Sequence, residues 1–217
     1  MSDEQAATFF VNPASAIVMT RRVLDVPRGA YLLQTAAGSS LGRMVIRLGK
    51  KHGFRTIDVV RRREQAEELR RLGADAVIVF PEESVAARVM EITGGKGAAC
   101  AIDAVGGETG SACIDALAPG GRLLLYSSLS GQPLRIDPRS LMTADRRVEG
   151  FWLSEWAKRQ NPLRMLWLFR QIKELMAEGI ATTEVGATYG LDQIRDAVRH
   201  ADQPGRAGKV LLRIGAR

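Results

Sequence analysis

One stretch of the chain reads Tyr31-Leu32-Leu33-Gln34-Thr35-Ala36-Ala37-Gly38-Ser39-Ser40-Leu41-Gly42. Its first part is an apolar run typical of a buried strand, and its second part is a turn of small residues that opens a helix over residues 41–52. The start of such a helix carries free backbone N–H groups that bind anions, commonly a pyrophosphate. Ala37 and Ser39 occupy the first two glycine positions of the G-x-G-x-x-G pattern, and only Gly42 keeps the third. A small-residue turn without a ligand therefore stays open as an alternative.

On both sides of this stretch, short apolar runs alternate with helical patterns. Because the apolar runs have few polar positions, we expect strands that are buried on both faces of a parallel sheet. The sequence thus predicts an α/β fold with a doubly wound parallel Rossmann sheet, which binds ligands at the carboxyl ends of its strands. The predicted strands span residues 31–35, 56–60, 76–79, 99–104, 122–126 and 147–151. The predicted helices span residues 13–24, 41–52, 63–72, 85–92 and 108–117, and a turn is predicted at 119–121.

The two ends of the chain continue this pattern without an evident linker. Residues 1–28 are interpreted as lead-in helices, and residues 161–217 as a C-terminal α/β extension. The extension is predicted to contain a helix at 161–178, a strand at 182–188, a helix at 191–201 and a strand at 209–214. Residues 1–217 are therefore predicted to be one domain.

The composition is that of an ordinary globular protein, since 46% of the 217 residues are hydrophobic and 25% are charged. Disordered and collagen-like chains are excluded. The 31 Lys and Arg residues against 24 Asp and Glu residues give a formal charge of +7, which attracts polyanions. A nucleic acid or a ligand with several phosphates would satisfy that charge. We expect no nucleic acid, because no aromatic residues are interleaved with the basic cluster at residues 61–63.

Cysteine and histidine are too sparse to indicate a metal site. Cys100 and Cys113 lie in apolar stretches without metal-ligand spacing, and His52 and His200 lie near predicted helix ends. No metal site is expected. The polar, acidic N-terminus lacks the features of a signal or transit peptide, and no apolar run approaches the length of a membrane helix. A cytoplasmic protein with no membrane partner is therefore expected.

The end of the second predicted strand carries a cluster of three arginines. The run is Thr56-Ile57-Asp58-Val59-Val60-Arg61-Arg62-Arg63. An NAD-binding fold normally places an acidic residue at the end of this strand for the ribose 2′-hydroxyl, but Asp58 comes two residues too early. Arg61, Arg62 and Arg63 stand where a 2′-phosphate would lie, and arginine binds phosphate with two parallel hydrogen bonds. The cluster favours NADP(H), with a solvated basic helix start as the alternative.

Several runs resemble the cofactor domain of the medium-chain dehydrogenase/reductase superfamily. They are the 33–42 stretch, Arg55-Thr56-Ile57-Asp58-Val59-Val60-Arg61 and Leu72-Gly73-Ala74-Asp75. Two more runs, Val105-Gly106-Gly107 and Gly150-Phe151-Trp152-Leu153-Ser154-Glu155-Trp156, resemble the mitochondrial-type trans-2-enoyl-CoA/ACP reductases, which neighbour the zinc-free quinone oxidoreductases. The resemblance runs nearly end to end, from Ala6 to Leu211.

The resemblance implies a set of cofactor-binding residues. Asn12 would reach the cofactor from the helix before the sheet, and Lys209 would contact it from the last strand. The pyrophosphate would lie on Gly38, Ser39, Ser40 and Leu41, with Gly42 packing the helix against the strand, and Arg61, Arg62 and Arg63 would hold the 2′-phosphate. The nicotinamide side would be formed by Tyr126, Ser127, Ser128 and Leu129, with Phe151, Trp152 and Leu153 as a wall. As alternatives, Tyr126, Phe151 and Trp152 are core aromatics and Ser127-Ser128 is an ordinary turn.

The resemblance also implies what the chain lacks. Members of this branch carry an N-terminal GroES-like catalytic domain with the proton-donating tyrosine. This domain is expected to be absent here, so no catalytic residue is assigned and residues 161–217 are expected to return toward it. The implied reaction is hydride transfer from NADPH to a 2-enoyl thioester. Ser127-Ser128 stand where glycines are usual, so a quinone or enone oxidoreductase remains an alternative. A stand-alone NADPH-binding module without catalysis by itself is a further alternative. The expected partners are a small-molecule or acyl-thioester substrate and a second copy in a homodimer.

Overall fold

The computed structural model describes residues 2–203, 205–206 and 208–215. The strands are β1 (Tyr31–Gln34), β2 (Arg55–Val60), β3 (Ala76–Val79), β4 (Ala98–Asp103), β5 (Leu117–Leu125), β6 (Arg147–Gly150), β7 (Val185–Gly190) and β8 (Lys209–Arg213). The helices are α1 (Asp3–Ala7), α2 (Val11–Val18), α3 (Ser40–His52), α4 (Arg63–Leu72), α5 (Val85–Ile92), α6 (Gly107–Asp115), α7 (Pro138–Ala144), α8 (Leu153–Lys158), α9 (Pro162–Ala177) and α10 (Ile194–Asp202).

Six parallel strands form the main sheet in the order β3-β2-β1-β4-β5-β6. The chain winds outward from β1 in one direction and then from β4 in the other, so the predicted doubly wound Rossmann sheet is confirmed. β7 and β8 pair in parallel in a second, two-stranded sheet.

Apolar side chains alternate between the two faces of the main sheet, as the period of a strand requires. Leu32 packs with the apolar residues of α2, α3 and α9, whereas its neighbour Leu33 packs with those of α5 and α6. In β5, Leu124 packs in the same apolar cluster as Leu32, and its neighbour Leu123 packs in the same cluster as Leu33. Helices therefore cover both faces, which explains why the strands have so few polar positions.

Glycines end two of the helices that follow strands. Gly53 after α3 and Gly73 after α4 adopt left-handed conformations with φ of 80° and 107°, which glycine reaches without steric cost. At the other end of α3, the Ser39 side chain accepts a hydrogen bond from the Gly42 N–H at 3.1 Å. These local signals fix the bounds of α3 and α4 close to the predicted ones.

Several predicted bounds are wrong. The predicted helix 108–117 ends at Asp115, and the predicted turn 119–121 lies inside β5. β5 begins at Leu117 opposite Ala98, and an irregularity in register then brings Arg122 opposite Cys100. The predicted strand 182–188 lies later in the chain, as β7 at Val185–Gly190. Helices α1, α7 and α8 were not predicted individually. Among the described residues, no helix combines the length and apolarity needed to cross a bilayer.

Candidate functional site: a crevice at the strand ends

The main sheet reverses its winding between β1 and β4, and the loops after these two strands diverge there. Such a switch point leaves a crevice outside the carboxyl ends of the strands. Thr35 follows β1 and Ala104 follows β4, and the Ala104 N–H donates to the Thr35 hydroxyl at 2.9 Å. The two loops are therefore joined at the base of the crevice.

The turn after β1 has the geometry of an anion-binding loop. Ala36 adopts a positive φ of 48°, and the Ser39 N–H donates to the Ala36 carbonyl at 2.9 Å. The N–H groups of Ser40 and Leu41 lie in the first turn of α3, where a helix offers them no internal partner. Ser39 is exposed, so a ligand can approach the turn from solvent. These features fit a phosphate group at the predicted position.

Gly42 holds the helix close to the strand. A Cβ atom built on Gly42 would lie 2.4 Å from the Ala37 carbonyl oxygen and 2.6 Å from the Ala37 Cα. No side chain fits at that distance from backbone atoms. The third glycine position of the pattern is therefore required by packing, whereas Ala37 and Ser39 are compatible with the other two positions.

A buried polar cluster lies behind the turn. Gln34 Nε2 donates to the Gly42 carbonyl at 3.0 Å and to Asp58 Oδ1 at 2.5 Å, and Thr56 Oγ1 donates to Asp58 Oδ2 at 2.7 Å. Burial raises the pKa of Asp58 to about 7, although the hydrogen bonds from Thr56 and Gln34 oppose the rise. Asp58 is fully buried and bonded within the protein, so it is not the acidic residue that NAD-binding folds present to the ribose.

A second carboxylate supports the other rim of the crevice. Asp103, at the end of β4, accepts hydrogen bonds from the Thr35 hydroxyl at 2.5 Å and from the Val105 and Gly106 N–H groups, both at 2.9 Å. It thereby ties the β4 loop to the first residue after β1. The sequence prediction missed Asp103 and Gln34, although a polar residue inside an apolar strand is a signal for such a role.

The three arginines have different surroundings. Arg61 and Arg62 are exposed after β2, and neither forms an ion pair within the described ranges. Arg63 opens α4 and pairs with Glu82, with its Nη2 atom 2.6 Å from Glu82 Oε2. The start of α4 also lies beside the turn, since a Cβ atom at Gly38 would be 2.6 Å from Gln65 Nε2. Arg61 and Arg62 follow β2 beside the turn, since the Ala37 N–H donates to the Val59 carbonyl at 3.2 Å, and the Arg62 guanidinium lies against Gly205.

A cavity of about 580 Å³ opens at the ends of β5 and β6. It brings together five of the residues that the resemblance implied for the nicotinamide side, namely Tyr126, Ser127, Ser128, Phe151 and Trp152. Trp152 is 66% exposed and is not a core residue, whereas Phe151 is 8% exposed and packs in the core below the cavity. Burial, with a smaller effect of the Asp103 charge, raises the pKa of Tyr126 well above its ordinary value, so its hydroxyl stays protonated.

Four other implied residues lie outside the described lining of this cavity. Leu129 is exposed, and its N–H donates to the Ala104 carbonyl at 2.9 Å, beside the crevice. Leu153 lies in the first turn of α8 and packs against the core. Asn12 is half-buried in the first turn of α2, which packs against α3. Lys209 begins β8, in the two-stranded sheet.

The model of the family described as zinc-binding dehydrogenase matches residues 40–167, more than half of the chain. The chain belongs to this family. As a zinc-binding dehydrogenase family protein, it is a member of the medium-chain dehydrogenase/reductase superfamily, as the resemblance predicted. The match covers α3 to the start of α9 and so includes the arginine cluster and the cavity residues.

Relatives and solved structures agree on the fold. The mitochondrial enoyl-[acyl-carrier-protein] reductase of Caenorhabditis elegans is 33% identical over 184 residues, which is 82% of this chain and 52% of that protein. A structure assigned as an NADPH:quinone reductase from Bacillus thuringiensis is 31% identical, with a TM-score of 0.90 over 97% of this chain and 64% of that one. A mycobacterial protein solved with NADPH is 27% identical, with a TM-score of 0.86 over 98% of this chain and 66% of that one. The chain spans about half the length of the curated relatives it matches.

The family name implies zinc, but the residues described here do not fit a zinc site. No group of three or more His, Cys, Asp or Glu side chains in the described ranges is placed to hold a metal ion. Cys100 and Cys113 are both buried, and burial raises the pKa of the Cys100 thiol to about 11 and that of the Cys113 thiol well above its ordinary value.

Proposed function

We propose that this chain is the NADP(H)-binding portion of an oxidoreductase that reduces an activated carbon–carbon double bond. The cofactor is NADP(H). The observation that carries this assignment is the exposed pair Arg61 and Arg62 beside the phosphate turn, where a 2′-phosphate would meet two guanidiniums and no carboxylate from Asp58. Solved relatives named for NADPH support the same cofactor.

When bound, NADPH would supply the hydride, and the protein would supply binding and orientation. The turn at residues 38–42 would bind the pyrophosphate through backbone N–H groups, and Arg61 and Arg62 would bind the 2′-phosphate. Tyr126, Ser127 and Ser128 would orient the nicotinamide on one side of the cavity. Trp152 would shield this end of the cavity from water. No proton donor is assigned to this chain.

The favoured substrate is a 2-enoyl thioester, because the curated relatives are named enoyl-[acyl-carrier-protein] reductases. A quinone or enone is the second candidate, because several solved relatives are named quinone reductases. NADPH consumption with crotonyl-CoA and with a benzoquinone would separate them. Consumption with crotonyl-CoA supports the first, and consumption with the quinone alone supports the second. If NADPH binds but neither substrate is reduced, the chain acts as a binding module.

Homodimerisation and a cytoplasmic location are part of the proposal. Light scattering coupled to size-exclusion chromatography tests the first, and cell fractionation tests the second. The curated relatives are named mitochondrial, so recovery of the protein from mitochondria would replace the cytoplasmic assignment.

A pair of variants tests the proposed role of the arginines. Changing both Arg61 and Arg62 to Ala removes the two cations that would contact the 2′-phosphate. We expect NADPH to bind about 10- to 100-fold more weakly, since a hydrogen bond to a charged group contributes about 1.5–3 kcal/mol. NADH binding should stay unchanged, because NADH lacks this phosphate.

The matched control is Arg71→Ala, which removes an exposed arginine from the other end of α4. It lowers the net charge without touching the turn, so NADPH affinity should hold. Equal weakening of NADPH and NADH in the Arg61 and Arg62 variant would contradict the assignment.

A further inference from the structure

Gln34 links the phosphate turn to the buried carboxyl group of Asp58. Its Nε2 atom donates to the Gly42 carbonyl at 3.0 Å and to Asp58 Oδ1 at 2.5 Å. Gly42 lies in the first turn of α3, and its N–H donates to the Ser39 hydroxyl at 3.1 Å. Because a side-chain amide nitrogen carries two N–H groups, both donors of Gln34 are in use. A change of charge at Asp58 therefore reaches the turn through a single side chain.

Asp58 is buried among uncharged partners. Its two hydrogen-bond donors, Gln34 and Thr56, are neutral side chains that are themselves buried. The charged groups that act on Asp58 from the neighbouring elements are Asp75, in the loop before β3, and Lys50 of α3. These two pair with each other, with Lys50 Nζ 2.9 Å from Asp75 Oδ1. An ionised carboxyl group that is buried without a cation is costly, so these surroundings favour the neutral form.

A phosphate group on the turn changes the balance at Asp58. The pyrophosphate proposed for residues 38–42 would be separated from this carboxyl group by Gln34 and the first turn of α3. Two negative charges on either side of a buried layer repel each other, because the protein interior screens charge far less than water does. Burial raises the pKa of Asp58 to about 7 in the protein alone, and a neighbouring anion raises a carboxyl pKa further. Cofactor binding and protonation of Asp58 should therefore favour each other.

We propose that Asp58 is a positioning residue that acts on the phosphate turn through Gln34 and couples cofactor binding to the uptake of a proton from solvent. The proton would lie on Asp58 Oδ2, which faces Thr56 Oγ1 at 2.7 Å, since a hydroxyl accepts as well as donates. Protonated Asp58 places no charge beneath the phosphates, and the Gln34 amide holds the Gly42 carbonyl. Ionised Asp58 opposes the phosphates and competes for Gln34, because hydrogen bonds to a carboxylate are stronger. The inference rests on the proposed function and adds the regulation of that site by pH.

NADPH affinity should fall as the pH rises above 7. Below pH 6, Asp58 is protonated both in the protein alone and in the complex, so its contribution to affinity is constant. Above pH 7, the protein alone has lost the proton, whereas the complex keeps it until the pH reaches the raised pKa of Asp58. A rise of one pKa unit on binding corresponds to about a tenfold loss of affinity between pH 6 and pH 9.

Calorimetric titration with NADPH at pH 6, 7, 8 and 9 tests the proposal on wild type and on Asp58→Asn. Asparagine has nearly the same shape, and its carbonyl can still accept from Gln34, but it takes up no proton. The 2′-phosphate of NADPH titrates with a pKa of about 6, as phosphate monoesters do, and the ratio of the two Kd values cancels this effect of the ligand. The wild-type Kd divided by the variant Kd should rise about tenfold from pH 6 to pH 9. Asp115→Asn, which removes an exposed carboxylate of α6, is the matched control, and its ratio to wild type should stay flat.

A count of protons provides a second readout. At pH 7.5, titrations in HEPES and in Tris, two buffers that differ in ionisation enthalpy, give the number of protons taken up per NADPH bound. Wild type should take up about 0.5 proton more than Asp58→Asn, for a pKa that rises from about 7 to about 8 on binding. A purely structural role of Asp58 would change the affinity equally at every pH and would leave the two counts the same.

The role of Gln34 has its own variant. Gln34→Met keeps the length of the side chain but removes both of its hydrogen bonds. NADPH and NADH affinities should fall alike, by about 2- to 10-fold at pH 6, because both cofactors share the pyrophosphate and the turn loses one neutral hydrogen bond. Urea unfolding checks that the variant is folded. Unchanged affinities in the folded variant would overturn the role of Gln34.

A ratio of Kd values that stays flat from pH 6 to pH 9, or equal proton counts in wild type and Asp58→Asn, would overturn the proposal. Failure of the proposed function looks different, because NADPH would then fail to bind either protein at any pH. In that case, inorganic pyrophosphate is titrated into the same two proteins. A larger proton uptake by wild type than by Asp58→Asn then supports the role of Asp58, and equal uptake overturns it.

Discussion

Replacing Asp58 by asparagine should remove a large part of the pH dependence of stability. Asp58 is fully buried beneath the phosphate turn, and its pKa in the folded protein is about 7, against an ordinary value of 3.8. Below pH about 4, the carboxyl group is protonated in both the folded and the unfolded states. As the pH rises from there toward 7, the unfolded chain releases the proton while the folded protein keeps it, so the free energy of unfolding falls.

The size of the effect follows from the two pKa values. They differ by about 3, and each pKa unit corresponds to about 1.4 kcal/mol, so the complete loss above pH 7 is about 4 kcal/mol. About 2.5 kcal/mol of this falls between pH 5 and pH 8. The asparagine side chain carries no charge at any pH, and its amide can still bond within the Gln34 and Thr56 cluster. The free energies of unfolding of wild type and variant should therefore diverge as the pH rises, with the variant gaining.

Urea unfolding at pH 5, 6, 7 and 8 measures the free energy of unfolding of each protein. Subtracting the wild-type value from that of the variant cancels the contributions of the titratable groups that the two proteins share. Asp115→Asn, which removes an exposed carboxylate at the end of α6, controls for the change in net charge. A constant difference between wild type and Asp58→Asn across this range would refute the reasoning, because it would mean that Asp58 ionises equally in both states.

Three further predictions concern the turn and the metal question. Gly42→Ala places a methyl group 2.4 Å from the Ala37 carbonyl oxygen, so urea unfolding should show a loss of stability of about 1–3 kcal/mol. Gly150→Ala is the control because its methyl group meets open space, and an unchanged stability of the Gly42 variant would contradict the packing argument. Ser39→Trp should block NADPH and NADH alike in calorimetry, because the side chain would fill the space of the pyrophosphate; retained binding would place the ligand elsewhere. A chelator should leave the melting temperature unchanged, since the described residues offer no zinc ligand set; a drop would show that the chain holds a metal.

Local signals made much of the fold predictable. The bounds of α4, β3 and α5 agree with the sequence prediction, because a glycine or a serine cap marks an end of each helix and an apolar run marks the strand. The doubly wound parallel sheet was predictable from the apolar character of the strands and their alternation with helices. Short-range chemistry was sufficient for these elements.

Long-range pairing explains what the sequence did not reveal. Pro119-Gly120-Gly121 is the pattern of a turn, yet β4 pairs with the residues on both sides of it and keeps it within β5. Asp103 joins the loop after β4 to the loop after β1 through a hydrogen bond from the Thr35 hydroxyl, and Thr35 lies 68 positions earlier in the chain. Arg22 and Arg164 line one cavity only because α2 packs against α9, a contact that no local pattern encodes. Conversely, Arg63 belonged to the predicted phosphate site by spacing, but its side chain pairs with Glu82.

Calorimetric titration of this chain with NADPH and, in parallel, with NADH tests the central claim most directly. The exposed Arg61 and Arg62 beside the turn predict tight binding of NADPH and binding of NADH weaker by about 10-fold or more. Equal affinity for the two cofactors, or tighter binding of NADH, would contradict the account.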